Sequence, residues 1–108
     1  MKPKTRLTRL LNQVKRKYKI TNKFKIRVST RDPKKRKDPF MEISFGKIPT
    51  IIVYVNKFHT RFEKIPDYHL RRFLVHELIH YVVHECVNDK NPKQIRGALI
   101  LIDRMIDY

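Results

Sequence analysis

The chain contains the pentapeptide His76-Glu77-Leu78-Ile79-His80, in which two imidazoles and a carboxylate have the H-E-x-x-H spacing. Residues four apart lie on the same face of a helix, so both imidazoles can reach one metal ion. Two neutral imidazoles suit zinc, Zn²⁺, which leaves one coordination position open for water. Glu77 would lie beside that water and accept its proton. The pattern therefore predicts His76 and His80 as metal ligands and Glu77 as the catalytic base.

The surroundings of the pentapeptide matter, because the same pattern also arises by chance in proteins that bind no metal. Here it falls within an apolar run whose spacing predicts a helix over about residues 67–87, begun by Pro66 and Asp67. A chance copy has no reason to fall on a helix. The context therefore favours a metal site.

Two further helices are expected to flank this one. Leucines at helical spacing predict an amphipathic helix over 5–19. Asn91 should cap a last helix over about 92–106, with Pro92 at its first position. That last helix has two apolar faces, which predicts burial on more than one side, either in the core or against a second copy of the chain.

Three strands are expected between the first two helices. Alternating apolar residues predict a strand at 24–28, and further strands are expected at 40–45 and 50–55. The charged segment 31–39, which contains two prolines, is expected to be an exposed hairpin loop. Together these elements predict an α+β fold with an N-terminal helix, a small and mostly antiparallel sheet, the motif helix and a C-terminal helix.

Length and composition indicate a single domain. The chain has 108 residues. It contains no run of about 18 apolar residues, so no membrane-spanning helix is expected. No apolar segment of a secretory signal follows the basic N-terminus. Cys86 is the only cysteine, which excludes an internal disulfide and predicts a reducing, cytoplasmic location. Few glycines and abundant charge are typical of thermophile proteins.

Positive charge is concentrated in the first third of the chain. Residues 1–37 contain 16 Lys and Arg against one acid, a net of +15, whereas residues 38–108 contribute +1 to the total of +16. Such a basic segment could bind nucleic acid, an anionic surface or acidic substrates. The alternative is an ordinary solvated surface. Few aromatic residues lie among these charges, so direct readout of base sequence is not expected.

The segment 46–56, followed after a spacer by residues 73–80, resembles the strand-then-helix core of gluzincin-type metallopeptidases. In size the chain is similar to the minigluzincins, peptidase domains from thermophilic prokaryotes, and its arrangement also resembles SprT-like proteases. The resemblance extends over roughly residues 20–107, and only the pentapeptide is specific. It implies a zincin-like catalytic domain that hydrolyses peptides or unfolded proteins. It also implies that an extended substrate pairs with strand 50–55.

The resemblance implies a third zinc ligand on a later helix, usually a glutamate, with an acid one turn further that orients a ligand histidine. This chain departs from that pattern because no glutamate follows Glu85. Asp103, which lies 23 residues after His80, is the candidate ligand, and Asp107 is the candidate orienting acid. Both acids could instead be solvated, with Asp103 paired to a lysine or arginine.

Other residues are alternative candidates for the third zinc ligand. His84 follows His80 on the same helical stripe, but a regular helix places it about 12 Å from His76, at roughly 1.5 Å per residue, which is too far for one zinc. Cys86 lies where metzincins place a ligand after a helix-breaking glycine, although Val83 occupies that point here. A ligand from another chain, or a site without a third residue, also remains.

Tyr54 is the candidate substrate-binding residue, since its hydroxyl could stabilise an oxyanion, with packing as the alternative. The chain ends soon after Asp103, so its tail is expected to lie across the cleft. The resemblance to minigluzincins implies latency, either through that tail or through exchange of the last helix with a partner in a homodimer.

A different class of function is the alternative to a peptidase. The chain could be a nucleic-acid-associated protein that binds through residues 1–37 and whose metal site is degenerate or structural. A SprT-like protease that acts on DNA-bound proteins would combine the two, because it uses both the pentapeptide and the basic segment.

Overall fold

The computed structural model describes residues 2–30, 40–57, 61–88 and 91–106 of the chain. These residues contain three α-helices and three strands. The protein is α+β, as the sequence predicts. Short 3₁₀ turns occur at Val55–Lys57 and Phe62–Lys64. In chain order the elements are α1 (Pro3–Lys17), β1 (Lys25–Ser29), β2 (Met41–Ser44), β3 (Thr50–Tyr54), α2 (Asp67–Asn88) and α3 (Pro92–Ile106).

The sheet is mixed, with β3 at its centre. β1 runs parallel to β3, with Ile26 opposite Ile51, and β2 runs antiparallel to β3, with Ile43 opposite Ile51. The expectation of a mostly antiparallel sheet is therefore wrong. A hairpin between β1 and β2 is also wrong, because β3 lies between them; the loop at 31–39 falls outside the described residues.

The order of the strands decides which of them can accept an additional strand. β3 is bonded on both sides, so it has no free edge for an extended substrate. The expected pairing of a substrate with strand 50–55 is therefore wrong. Within the described part of the chain, β2 and β1 form the two edges of the sheet, and β2 is the edge that packs beside α2.

The core lies between the sheet and the apolar faces of α1 and α2. Ile51 and Val53 of β3 are fully buried, since alternate residues of a central strand face the same layer. Leu10 and Val14 of α1 and the leucines of α2 close the core from the helical side. In addition to α1, α2 packs against β2 and α3, so it is covered on several sides.

α3 begins as predicted. The side-chain oxygen of Asn91 accepts a hydrogen bond from the backbone N–H of Lys93 (3.1 Å), which is the usual N-cap interaction. Met105 is buried on the inner face of α3, while Leu99 and Ile100 are exposed. Among the described residues, no helix is both long and apolar enough to cross a membrane.

Arg6 joins α1 to the start of α2. Its guanidinium donates to the Asp67 carboxylate from Nε (2.9 Å) and Nη2 (2.7 Å), and to the backbone carbonyls of Phe62 (2.9 Å) and Ile65. The hydrogen bond from Arg6 is the main cause of the lowered pKa of Asp67. Asp67 also lies in the first turn of α2, where the helix dipole favours a negative charge.

We expect Arg6→Ala to lower the free energy of unfolding by roughly 2 to 4 kcal/mol, because it removes several charge-assisted hydrogen bonds, including the donor to the Ile65 carbonyl. Arg9→Ala is the matched control. Arg9 is half exposed and makes a single 3.3 Å contact with Asp67, so its loss should cost less than about 0.5 kcal/mol. Urea unfolding of both variants at neutral pH measures the difference, and equal losses would contradict the role of Arg6.

Candidate metal centre

The two histidines of the pentapeptide lie together on the exposed face of α2. Their Nε2 atoms are 3.1 Å apart, and their rings are nearly perpendicular, with centroids 4.6 Å apart. Two imidazole ligands of one tetrahedral zinc, each about 2.0 to 2.1 Å from the metal, place their nitrogens about 3.3 Å apart. One N–H···N bond between neutral rings also suits 3.1 Å. The separation of 3.1 Å therefore fits both a shared metal ion and a direct hydrogen bond between the two rings.

The histidine pair opens into a cleft of about 440 Å³ between α2 and the edge strand β2. Among the described residues, neither lysine nor arginine lines this cleft, although the chain has a net charge of +16. Two carboxylates and three imidazoles face it instead, which favours a cation. The lining residues are Met41, Glu42, Ile43, Phe45, His76, Glu77, His80, Val83 and His84.

Glu77 lies at the boundary between the cleft and the core. Only 6% of its surface is exposed, and it is the one buried charged residue in the described chain. Burial, with a smaller contribution from the charge of Glu42, raises the pKa of Glu77 to about 7. A carboxylate with this pKa can both accept and release a proton near neutral pH, as a general acid and base must.

Glu42 was not singled out by the sequence analysis. It lies on β2, lines the cleft and accepts a hydrogen bond from the Tyr54 hydroxyl. The signal for it is the antiparallel register, in which Glu42 faces Ile52 and Tyr54 is the diagonal neighbour. That register cannot be obtained from the alternation within either strand alone. Tyr54, the predicted substrate-binding residue, does not line the cleft and reaches it through Glu42.

His84 forms part of the cleft wall. Its ring stacks on Phe45 with centroids 3.9 Å apart and an interplanar angle of 7°. The side-chain amide of Asn88 contacts the ring nitrogens at 3.3 and 3.4 Å. The ring is thus held beside the cleft. Among the described residues, it does not join His76 and His80 in a group of three possible metal ligands.

Asp103 is exposed on α3 and is not brought to the histidine pair. Two residues correspond to about 200° around a helix, so burial of Met105 turns Asp103 to the opposite face of α3. Asp107 lies outside the described residues. Cys86 lines a separate depression with Tyr81 and residues of α3.

Zinc fits this site in part. Among residues 2–30, 40–57, 61–88 and 91–106, no group of three His, Cys, Asp or Glu side chains could hold a metal. His76 and His80 supply two nitrogen donors at a suitable separation, and the carboxylates of Glu42 and Glu77 make the cleft favourable for a cation. The described residues therefore account for two ligands.

Comparison of the chain with protein-family models, curated proteins and solved structures finds no match.

We expect His76→Ala and His80→Ala each to weaken zinc binding by at least about 100-fold, since each removes one of two converging donors. His84→Ala is the control on the same helix and should leave affinity within about threefold. Competition with a chromophoric chelator measures the affinity. A loss in His84→Ala as large as that in His80→Ala would contradict the assignment of the pair.

The raised pKa of Glu77 predicts that Glu77→Gln stabilises the fold by an amount that depends on pH. The pKa of Glu77 is about 7 in the folded state, against 4.5 for an ordinary glutamate, so ionisation of Glu77 destabilises the native state increasingly as pH rises from 4.5 to 7. In metal-free protein, the change in free energy of unfolding caused by Glu77→Gln should therefore be more stabilising at pH 8 than at pH 5, by on the order of 1 to 3 kcal/mol. Urea unfolding in chelator measures this difference. Glu63→Gln, which removes an exposed carboxylate, should show no such dependence.

Proposed function

We propose that the protein is a zinc-dependent metallopeptidase of the gluzincin type. The observation that carries this proposal is the 3.1 Å approach of two imidazole nitrogens beside a buried carboxylate of raised pKa, in an open cleft. Structural zinc sites are normally closed by four protein ligands. A site that provides two histidines and opens into a cleft agrees better with catalysis.

When bound, zinc would polarise the scissile carbonyl and make a water molecule easier to deprotonate. His76 and His80 would hold the ion through their Nε2 atoms. Glu77 would accept the proton of the attacking water and pass it to the leaving amine. In the metal-free protein, burial holds the pKa of Glu77 at about 7, and a bound cation nearby would favour the ionised carboxylate that accepts this proton.

The substrate is proposed to be an extended peptide or an unfolded protein that pairs with β2. β2 is an edge of the described sheet, and its residues Met41, Glu42 and Ile43 line the cleft. Main-chain hydrogen bonds to such an edge align a peptide without requiring a particular sequence. The carboxylate of Glu42 would favour a cationic group of the substrate nearby, because no lysine or arginine in the described part of the chain lines the cleft to compete for it.

A second candidate function is proteolysis that depends on DNA. The outer face of α1 forms a shallow groove lined by Lys4, Arg9 and Arg16 together with threonine, asparagine and glutamine side chains. This combination of charges and hydrogen-bond donors is suited to a phosphate backbone. The groove lies on a different element from the cleft, so both could be occupied at once.

The test compares zinc-loaded wild type with Glu77→Gln on a labelled unfolded protein. We expect cleavage by the wild type and a loss of at least about a thousandfold in the variant, with zinc content unchanged. Glu85→Gln removes an exposed carboxylate of the same helix and should cleave normally. Equal cleavage by Glu77→Gln would overturn the mechanism.

Two additional arms separate the alternatives. Cleavage that appears only after addition of duplex DNA, and that declines with salt, would favour the DNA-dependent protease. Cleavage that appears only after removal of residues 107–108 would support occlusion by the tail. Zinc binding without cleavage in any arm would contradict the peptidase.

A further inference from the structure

The outward face of α3 has exposed apolar side chains flanked by opposite charges. Met105 marks the buried side of α3, where Ala98 and Leu101 also pack against the core. On the opposite side, Leu99 and Ile100 are 53% and 51% exposed. Two adjacent apolar side chains half exposed to water on the same helix face indicate a surface that another element can cover.

Arg96 and Asp103 bracket these apolar residues symmetrically. Arg96 lies three residues before Leu99, and Asp103 lies three residues after Ile100. At about 100° per residue, the separation of seven positions between Arg96 and Asp103 brings them to within about 20° of the same direction. Leu99 and Ile100 lie on either side of that direction. The four exposed side chains therefore form one continuous stripe, here named the α3 stripe.

This stripe is complementary to itself in only one orientation. If a second copy packs antiparallel about a two-fold axis between residues 99 and 100, Arg96 faces Asp103 of the other copy, twice over. Leu99 then meets Leu99 of the other copy on one flank of the contact, and Ile100 meets Ile100 on the other flank. A parallel arrangement would instead place Arg96 against Arg96 and Asp103 against Asp103, which is repulsive.

Other features of α3 are compatible with the antiparallel arrangement. Ile106 is 66% exposed and lies seven residues after Leu99, so it extends the apolar surface on the same flank of α3. α3 also carries little of the net charge of the chain, with three basic residues and one acid between Pro92 and Ile106. Repulsion between the strongly basic segments is screened beyond about 8 Å at physiological salt.

We infer that the protein forms a two-fold homodimer in which the α3 stripes of two copies pack antiparallel, with reciprocal Arg96–Asp103 ion pairs around an apolar centre of Leu99 and Ile100. α3 remains packed on α2 of its own chain through Met105, so this dimer requires no exchange of helices. It also gives Asp103 a partner other than a metal.

Charge reversal tests this dimer in metal-free protein by sedimentation velocity over a range of concentrations. Wild type should show a monomer–dimer equilibrium with a Kd on the order of 10 µM. Arg96→Asp and Asp103→Arg should each weaken association by at least about tenfold, because each creates two like-charge contacts. The double variant, with both reversals, should return to within about threefold of wild type.

Two controls exclude trivial causes. Arg16→Asp on the exposed face of α1 changes the net charge as much as Arg96→Asp does and should leave the Kd unchanged. Circular dichroism should show the same helix content in every variant. A misfolded single variant could not be rescued by a second charge reversal, so recovery in the double variant is specific to the pairing. A monomeric wild type, insensitivity to single reversals, or a double variant as weak as the singles would each overturn the inference.

Discussion

The rotation of α2 about its own axis is the constraint on which the site depends. Leu74 and Leu78 are fully buried, so one side of the helix is held against the core. Leu78 lies two residues from each of His76 and His80, which corresponds to about 200° around the helix. Burying this leucine therefore turns both imidazoles outward together, and their spacing of four residues places them one above the other. Packing on one side of α2 thus organises the chemistry on the other.

The same rotation explains the environment of Glu77. One residue from His76 corresponds to about 100°, so the carboxylate falls at the margin between the outward face and the core. Glu77 lines the cleft but is largely buried, and this burial raises its pKa to about 7. A buried carboxylate with so high a pKa destabilises the fold at neutral pH. Such a cost is common at active sites, where groups are held in environments that suit reaction rather than stability.

Charge is distributed unevenly in space as well as in sequence. The exposed face of α1 is basic, whereas the cleft contains Glu42, Glu77 and three histidines, with neither lysine nor arginine among the described residues that line it. The protein therefore presents a positive surface and a cation-favouring cleft on different elements. This separation allows an anionic partner and a cationic ligand to bind without competing, which is relevant to both candidate functions.

Local patterns in the sequence were sufficient for the helices, since amphipathic spacing and the Pro66–Asp67 and Asn91–Pro92 start signals depend only on near neighbours in the chain. The convergence of His76 and His80 was likewise determined by helix geometry. Only the tertiary structure decided that β3 lies between β1 and β2, that Glu42 joins the cleft through Tyr54, and that Asp103 turns away from the histidines. Strand order and helix docking depend on contacts between distant segments, and the period of a single element does not encode them.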